Sequence, residues 1–209
     1  MSSATAMRGN LPAELTTFVG RRHQLQEIKS ALATARLVTL VGTGGVGKTR
    51  LALRSAADLR RGIPDGVWLV ELAGLEDAEL VTKTVMISLG LRDESSQWPV
   101  SRLIEYVSSK RLLLVLDNCE HLLDACAVLA DAVLREAPSL RILATSTQAL
   151  GVNGETVIQV GPLSVPEAEG RAAPDRIAQS EAVALLVERA REAGAPFEIT
   201  LDNRAAVVE

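Results

Sequence analysis

The sequence predicts an α/β fold of three layers, with a parallel sheet of about five strands between helices, followed by a smaller, purely helical part. Three observations carry this. Between residues 37 and 160, short apolar runs alternate with stretches of helical spacing, the pattern of parallel strands joined by right-handed crossovers. The runs are apolar at successive positions instead of every second one, as in strands covered on both faces. After residue 163 the strand-like runs stop and only helical spacing remains.

Residues 1–10, small and polar, should be a loose arm. Over residues 21–35, Leu25, Ile28 and Leu32 recur at helical spacing. Residues 37–41 form the first strand, which stops at a glycine cluster. Residues 48–61 read as a helix with Leu51, Ala52 and Leu59 inward, and Arg60 and Arg61 complement its C-terminal dipole. A strand at 67–72 precedes a helix over 77–89, with Leu80, Val81, Val85 and Leu89 as core positions. Pro99 opens a helix through Lys110, where its missing N–H costs nothing. Residues 112–116 make the most buried-looking strand. A helix over 121–137 and strands at 141–145 and 156–160 complete a domain spanning 11–163. In the helical part, Ser164 and Glu167 have capping-box spacing ahead of a short helix. Residues 180–193 form a second helix with Val183, Leu186 and Val187 inward, and Asp202 looks like the N-cap of a third. That last helix has barely two turns before Glu209. Helices so short are marginal alone, so the chain is expected to be a piece of something longer.

Composition bounds the function. The chain has 209 residues, 47% hydrophobic and 23% charged, enough for a core without disulfide or metal staples. Its formal charge of −4 supplies none of the basic excess that neutralises DNA phosphates. Direct nucleic-acid contact by this part is therefore not expected. Cys119 and Cys126 match neither a CxxC nor a zinc spacing and should be ordinary buried thiols. No apolar run approaches the ~20 residues of a membrane span. The first ten residues lack the apolar stretch of a signal peptide. A cytoplasmic protein without membrane contact is expected.

The strongest signal is Gly42-Thr43-Gly44-Gly45-Val46-Gly47-Lys48-Thr49, which fits G-x-x-x-x-G-K-[ST] between a strand and a helix. Glycines let phosphates approach the backbone, whose N–H groups form a nest at the positive end of the helix. Lys48, expected to face solvent or phosphate, would meet the β- and γ-phosphates, and Thr49 would offer its hydroxyl to Mg²⁺. Arg50 follows directly and is counted with the loop. Asp117, at the end of an apolar strand, is the candidate second magnesium partner; the competing reading is a helix N-cap. Glu120 could activate water where Asn118 cannot, although a carboxylate at a helix start also serves the dipole. His121 carries no assigned role. Thr145 and Thr147 would emerge on the same sheet edge, either to sense the γ-phosphate or simply to begin a turn. No Asn-Lys-x-Asp segment is present to read guanine, which favours ATP and ADP.

With these motifs in order, the chain resembles the nucleotide-binding module of the STAND NTPases (signal transduction ATPases with numerous domains). It is most similar to the modules of bacterial LuxR-type and SARP-type transcriptional regulators. The stretches are LPAELTTFVGR (11–21), GTGGVGKTRLAL (42–53), LVLDNCEHL (114–122) and LATS (143–146), then GPLS (161–164) leading into residues 181–191. The resemblance implies strand order 5-1-4-3-2, adenine contacts from Val19, Gly20 and Arg21, and helices over 164–209 that begin a lid subdomain. It also implies ATP/ADP and Mg²⁺ as ligands, slow or absent hydrolysis, effector and sensor domains elsewhere in the full-length protein, and nucleotide-dependent homo-oligomers. The sequence departs from the family where Thr147 replaces an arginine near the γ-phosphate, where Arg22 replaces an acidic residue, and in lacking the later lid elements. Losing a fixed cation there should weaken hydrolysis. Competing readings are a stand-alone phosphotransferase, for which Arg171 and Arg176 make no arginine-rich lid, and a scaffold with a degenerate pocket.

Overall fold

The computed structural model describes residues 9–92, 98–166 and 174–208. The chain divides into two compact units. The larger comprises Gln24–Val160 with the described residues up to Pro12. The smaller comprises Ala13–His23 with the stretch from Gly161 on.

The larger unit is a five-stranded sheet flanked by helices. Its strands are β1 (Leu37–Val41), β2 (Val67–Glu71), β3 (Leu113–Asp117), β4 (Arg141–Ser146) and β5 (Glu155–Gln159). They run in the order β2-β3-β4-β1-β5, the expected 5-1-4-3-2 read from the other edge. Every pairing is parallel. The burial pattern follows position in the sheet. All five residues of β1 are buried, as are four of β3, whereas edge strand β5 buries only Ile158. The helices are α1 (Arg22–Thr34), α2 (Lys48–Leu59), α3 (Val81–Ser88), α4 (Val100–Val107) and α5 (Leu123–Glu136). Helix α5 turns Cys126, Leu129, Ala130 and Val133 into a core that includes Leu114, Leu116 and Ile142. Two arginines tie the helix ends to the strands. Arg141 Nε donates to Leu32 O at the end of α1 (2.6 Å), and Arg36 Nη1 donates to Leu134 O and Ala137 O at the end of α5. The bonds to Leu32 O and Leu134 O satisfy carbonyls that a helix terminus leaves open.

The register brings the site together. Val41 lies opposite Ser146, and Glu71 opposite Asp117, so β1, β3 and β4 end along one edge of the sheet. Ligands bind at this carboxyl edge in open parallel sheets.

Several expectations change in detail. Leu80 is exposed, not in the core. A 3₁₀ turn over Ala78–Leu80 precedes α3, with the Asp77 carboxylate accepting from Glu79 N, so inward spacing starts only at Val81. Pro99 is the N-cap of α4 and not its first helical residue. The helix expected from residue 121 starts only at Leu123, after a 3₁₀ turn over Cys119–His121. Gly9 and Asn10, assigned to a loose arm, instead dock on the edge of β2. Gly9 bridges Val67, and a Cβ on Gly9 would come within 2.1 Å of Val67 O. The Asn10 amide donates to Leu69 O (2.8 Å) and accepts from Leu69 N (2.6 Å). This supplies an edge strand with partners it otherwise lacks. Asn10→Ala should therefore lower stability by about 1–2 kcal/mol, at roughly 1 kcal/mol per hydrogen bond. An unshifted urea midpoint would mean that water replaces the amide at no cost.

The smaller unit holds α6 (Pro174–Ala178), α7 (Glu181–Glu192) and α8 (Arg204–Val208). Ser164 does act as a cap, but of α7. Its hydroxyl accepts from Glu181 N (3.0 Å) and its carbonyl from Ala182 N (3.0 Å); Glu167 lies outside the described residues. In α7 Val183 is buried, while Leu186 is 48% exposed and not inward as expected. Helix α8 begins two residues after Asp202, so the residue before it is Asn203. The Asn203 side chain accepts from Thr200 N (2.8 Å). The segment before α1 runs alongside α7: Thr17 N donates to Glu192 Oε1 (2.9 Å) and Arg189 Nη2 to Thr17 O (2.9 Å). Among the described residues no helix is long and apolar enough to cross a membrane.

Candidate functional site

The loop from Gly42 to Thr49 turns from β1 into α2. Its glycines answer to different constraints. Gly45 (φ 75°) and Gly47 (φ 95°) take left-handed conformations that side chains disfavour. Gly42 packs so closely that a Cβ would lie 2.5 Å from Val160 O. Gly44 has neither constraint, because a Cβ there would meet nothing within 4 Å. Neither a positive φ nor a close neighbour calls for glycine at 44, and its backbone lies exposed. Gly47 caps α2 without a side-chain hydrogen bond, so no side chain of the cap occupies the N–H groups of the first turn, where the helix dipole favours an anion.

Lys48 is only 8% exposed. Its ammonium does not face solvent but folds onto the loop, donating to Gly42 O (2.9 Å) and Thr43 O (3.1 Å). The positive charge is thus held at the loop by two carbonyls before any ligand arrives. Arg50 sits half-buried on α2.

Asp117 is not an N-cap. It is the last residue of β3, and Asn118 (φ 67°) turns the chain into the following 3₁₀ turn. The carboxylate serves side chains instead. Oδ1 accepts from Thr49 Oγ1 (2.8 Å) on α2 and from Thr145 Oγ1 (2.6 Å) on β4. The two proposed magnesium residues, on separate elements, are therefore already in contact. Among the described residues no group of three or more His, Cys, Asp or Glu could hold a metal. A hydroxyl plus one carboxylate nevertheless suits Mg²⁺, which takes hard oxygen donors, keeps waters and shares phosphate oxygens.

Thr145, for which the sequence leaves open a phosphate-sensing or a turn role, is 1% exposed and committed to Asp117. Thr147 is exposed in the bend after β4. Glu120 lies in the 3₁₀ turn with Oε2 buried and without a hydrogen-bond partner. His121 ties two loops, with Nε2 on Leu75 O (2.8 Å) and Nδ1 on the Asn118 amide (3.4 Å). Cys119 and Cys126 are buried and free. The hydrogen bond that the Cys119 thiol donates to Cys126, together with burial, pushes the Cys119 thiol above its ordinary pKa.

Val19, Gly20 and Arg21 belong to the smaller unit. Gly20 takes a left-handed backbone (φ 73°), and a Cβ there would lie 2.8 Å from the Glu181 carboxyl carbon, so that side chain would have to shift. Arg21 takes a left-handed backbone (φ 57°), its N–H donating to Glu181 Oε1 (2.5 Å) and its Nη2 to Gly161 O (3.0 Å). Burial lowers its pKa, and the Glu181 charge opposes that shift.

A glycine-rich loop between β1 and α2, on a parallel sheet of this order, defines a P-loop NTPase domain. The chain belongs to the AAA domain family, whose profile matches residues 31–153. It is 37% identical over 209 residues to an uncharacterised protein of Mycobacterium tuberculosis (strain ATCC 25618 / H37Rv), covering 100% of this chain and 50% of that one. A protein of the same strain, provisionally named an HTH-type transcriptional regulator, is 41% identical over 184 residues, 87% of this chain and 19% of that one. This chain therefore spans half or less of the length of these relatives. Among solved structures, a STAND protein with a tetratricopeptide repeat sensor from Pyrococcus horikoshii superposes with a TM-score of 0.58 at 17% identity, over 94% of this chain and 28% of that one. At that identity the likeness concerns the fold.

Proposed function

We propose that this chain is the ATP/ADP-binding switch module of a bacterial signal-transduction ATPase of the STAND type, within a longer transcriptional regulator. The observation that carries the reading is the ready-made cradle at the sheet edge. Gly44 opens the loop backbone, Lys48 is held on the loop, and Thr49 already meets Asp117. The relation to a protein named as a regulator supports the wider setting. Effector and sensor domains would lie outside residues 11–163 and the start of the lid at 164–209, and any nucleotide-dependent homo-oligomer would depend on them.

In this reading the loop N–H groups and Lys48 bind the phosphates, and Thr49 and Asp117 hold Mg²⁺, which would neutralise phosphate charge when bound. Val19, Gly20 and Arg21 keep the base-contacting role that the family resemblance implies. Glu120 is the only proposed water-activating group, and Thr147 offers no cation to the developing charge. Hydrolysis should therefore be slow. A single-turnover assay of phosphate release from bound ATP tests this. Bound ATP that outlasts many minutes, with little phosphate released, fits a switch; release at the rates of about 1 per second or faster typical of enzymes would contradict it.

A further inference from the structure

We infer that Thr145 is a positioning residue that sets the Asp117 carboxylate for the magnesium ion and does not sense phosphate. The inference rests on the nucleotide-binding reading above. A hydroxyl has one proton to give. That of Thr145 goes to Asp117 Oδ1 at 2.6 Å, while its oxygen accepts from Asn118 N at 2.9 Å. With both functions engaged and 1% of its surface exposed, it has no proton left for a phosphate oxygen unless Asp117 is released.

The arrangement restrains the carboxylate from two sides. Thr145 donates from β4 and Thr49 from α2, both to Oδ1. Neither hydroxyl goes to Oδ2. Thr49 is itself proposed to hold the ion, so Thr145 is the restraint that does not depend on it. Its link to Asn118 N also fixes the backbone just where the chain leaves β3 in a left-handed turn. Polar groups that orient metal ligands in this way typically change metal affinity by about 10–100-fold when removed.

The test is the ratio of ADP affinity with and without Mg²⁺, measured calorimetrically on the wild-type chain and on Thr145→Val, Thr145→Ser and Asp117→Asn, with melting curves to confirm folding. Thr145→Val, of nearly the same shape, should cut the magnesium enhancement about tenfold and leave metal-free ADP binding unchanged. Thr145→Ser should restore it. In an Asp117→Asn background, Thr145→Val should change nothing further. Thr145→Val with the full magnesium enhancement overturns the inference and leaves the P-loop reading intact. A variant that loses ADP equally with and without Mg²⁺ overturns it in favour of a phosphate contact. If Thr145→Val unfolds, the Ser variant decides: an enhancement far below wild type contradicts the inference. A wild-type chain that binds no ADP overturns both readings.

Discussion

Lys48→Ala is expected to weaken ADP binding by about ten- to a hundred-fold or more. Hydrogen bonds to charged groups are worth about 1.5–3 kcal/mol, and the ammonium is the one charge of the loop already placed by its carbonyls. Removing it deletes that charge and also frees Gly42 O and Thr43 O. Thr43 is exposed and Gly42 half-buried, so water can reach these carbonyls and the fold should survive with a loss of about 1–2 kcal/mol. Lys48→Arg should not rescue fully, because a planar fork cannot occupy the compact position of an ammonium. Titration calorimetry with a parallel melting curve checks both parts. A folded Lys48→Ala variant with unchanged ADP affinity would sink the phosphate-loop assignment.

Asp117→Asn should abolish most of the strengthening of nucleotide binding by Mg²⁺. The amide is nearly the shape of the carboxylate, and its oxygen can still accept from Thr49 and Thr145, so β3 and the sheet edge should hold. What disappears is the negative charge that a hard divalent cation demands. Metal-free ADP affinity should stay level or rise slightly, since a charge near the phosphates has gone. A magnesium enhancement equal to wild type would reduce Asp117 to a structural acceptor for two hydroxyls.

The two variants probe different physics at one edge, and the sequence makes one more legible than the other. The loop is local: its spacing, the strand before and the helix after all lie within residues 37–59. Asp117 can be proposed from the sequence because a phosphate loop calls for a carboxylate from a neighbouring strand. The part played by Thr145 is not local. It follows from β4 lying between β1 and β3 in this register, and a hydroxyl at a strand end reads equally well as a turn residue until its neighbour is known. Leu80 and Leu186 failed for a related reason. Helical spacing shows which residues share a face, but Asp77 delays the start of α3, and α7 buries only Val183 among the described residues. Gly9 and Asn10 look like an arm by composition. They are held instead by backbone groups of β2, which no side-chain pattern can reveal. The three central strands were legible because runs such as residues 37–41 are apolar throughout, whereas their order came only with the family resemblance that the motifs carry.

The most direct test of the account is a calorimetric titration of the wild-type chain with ADP, with and without Mg²⁺. One adenine-nucleotide site per chain, tightened by magnesium and absent for guanine nucleotides, is the predicted result. A folded chain that takes up no ADP under either condition would contradict the central claim that the loop from Gly42 to Thr49 and Asp117 form a nucleotide site.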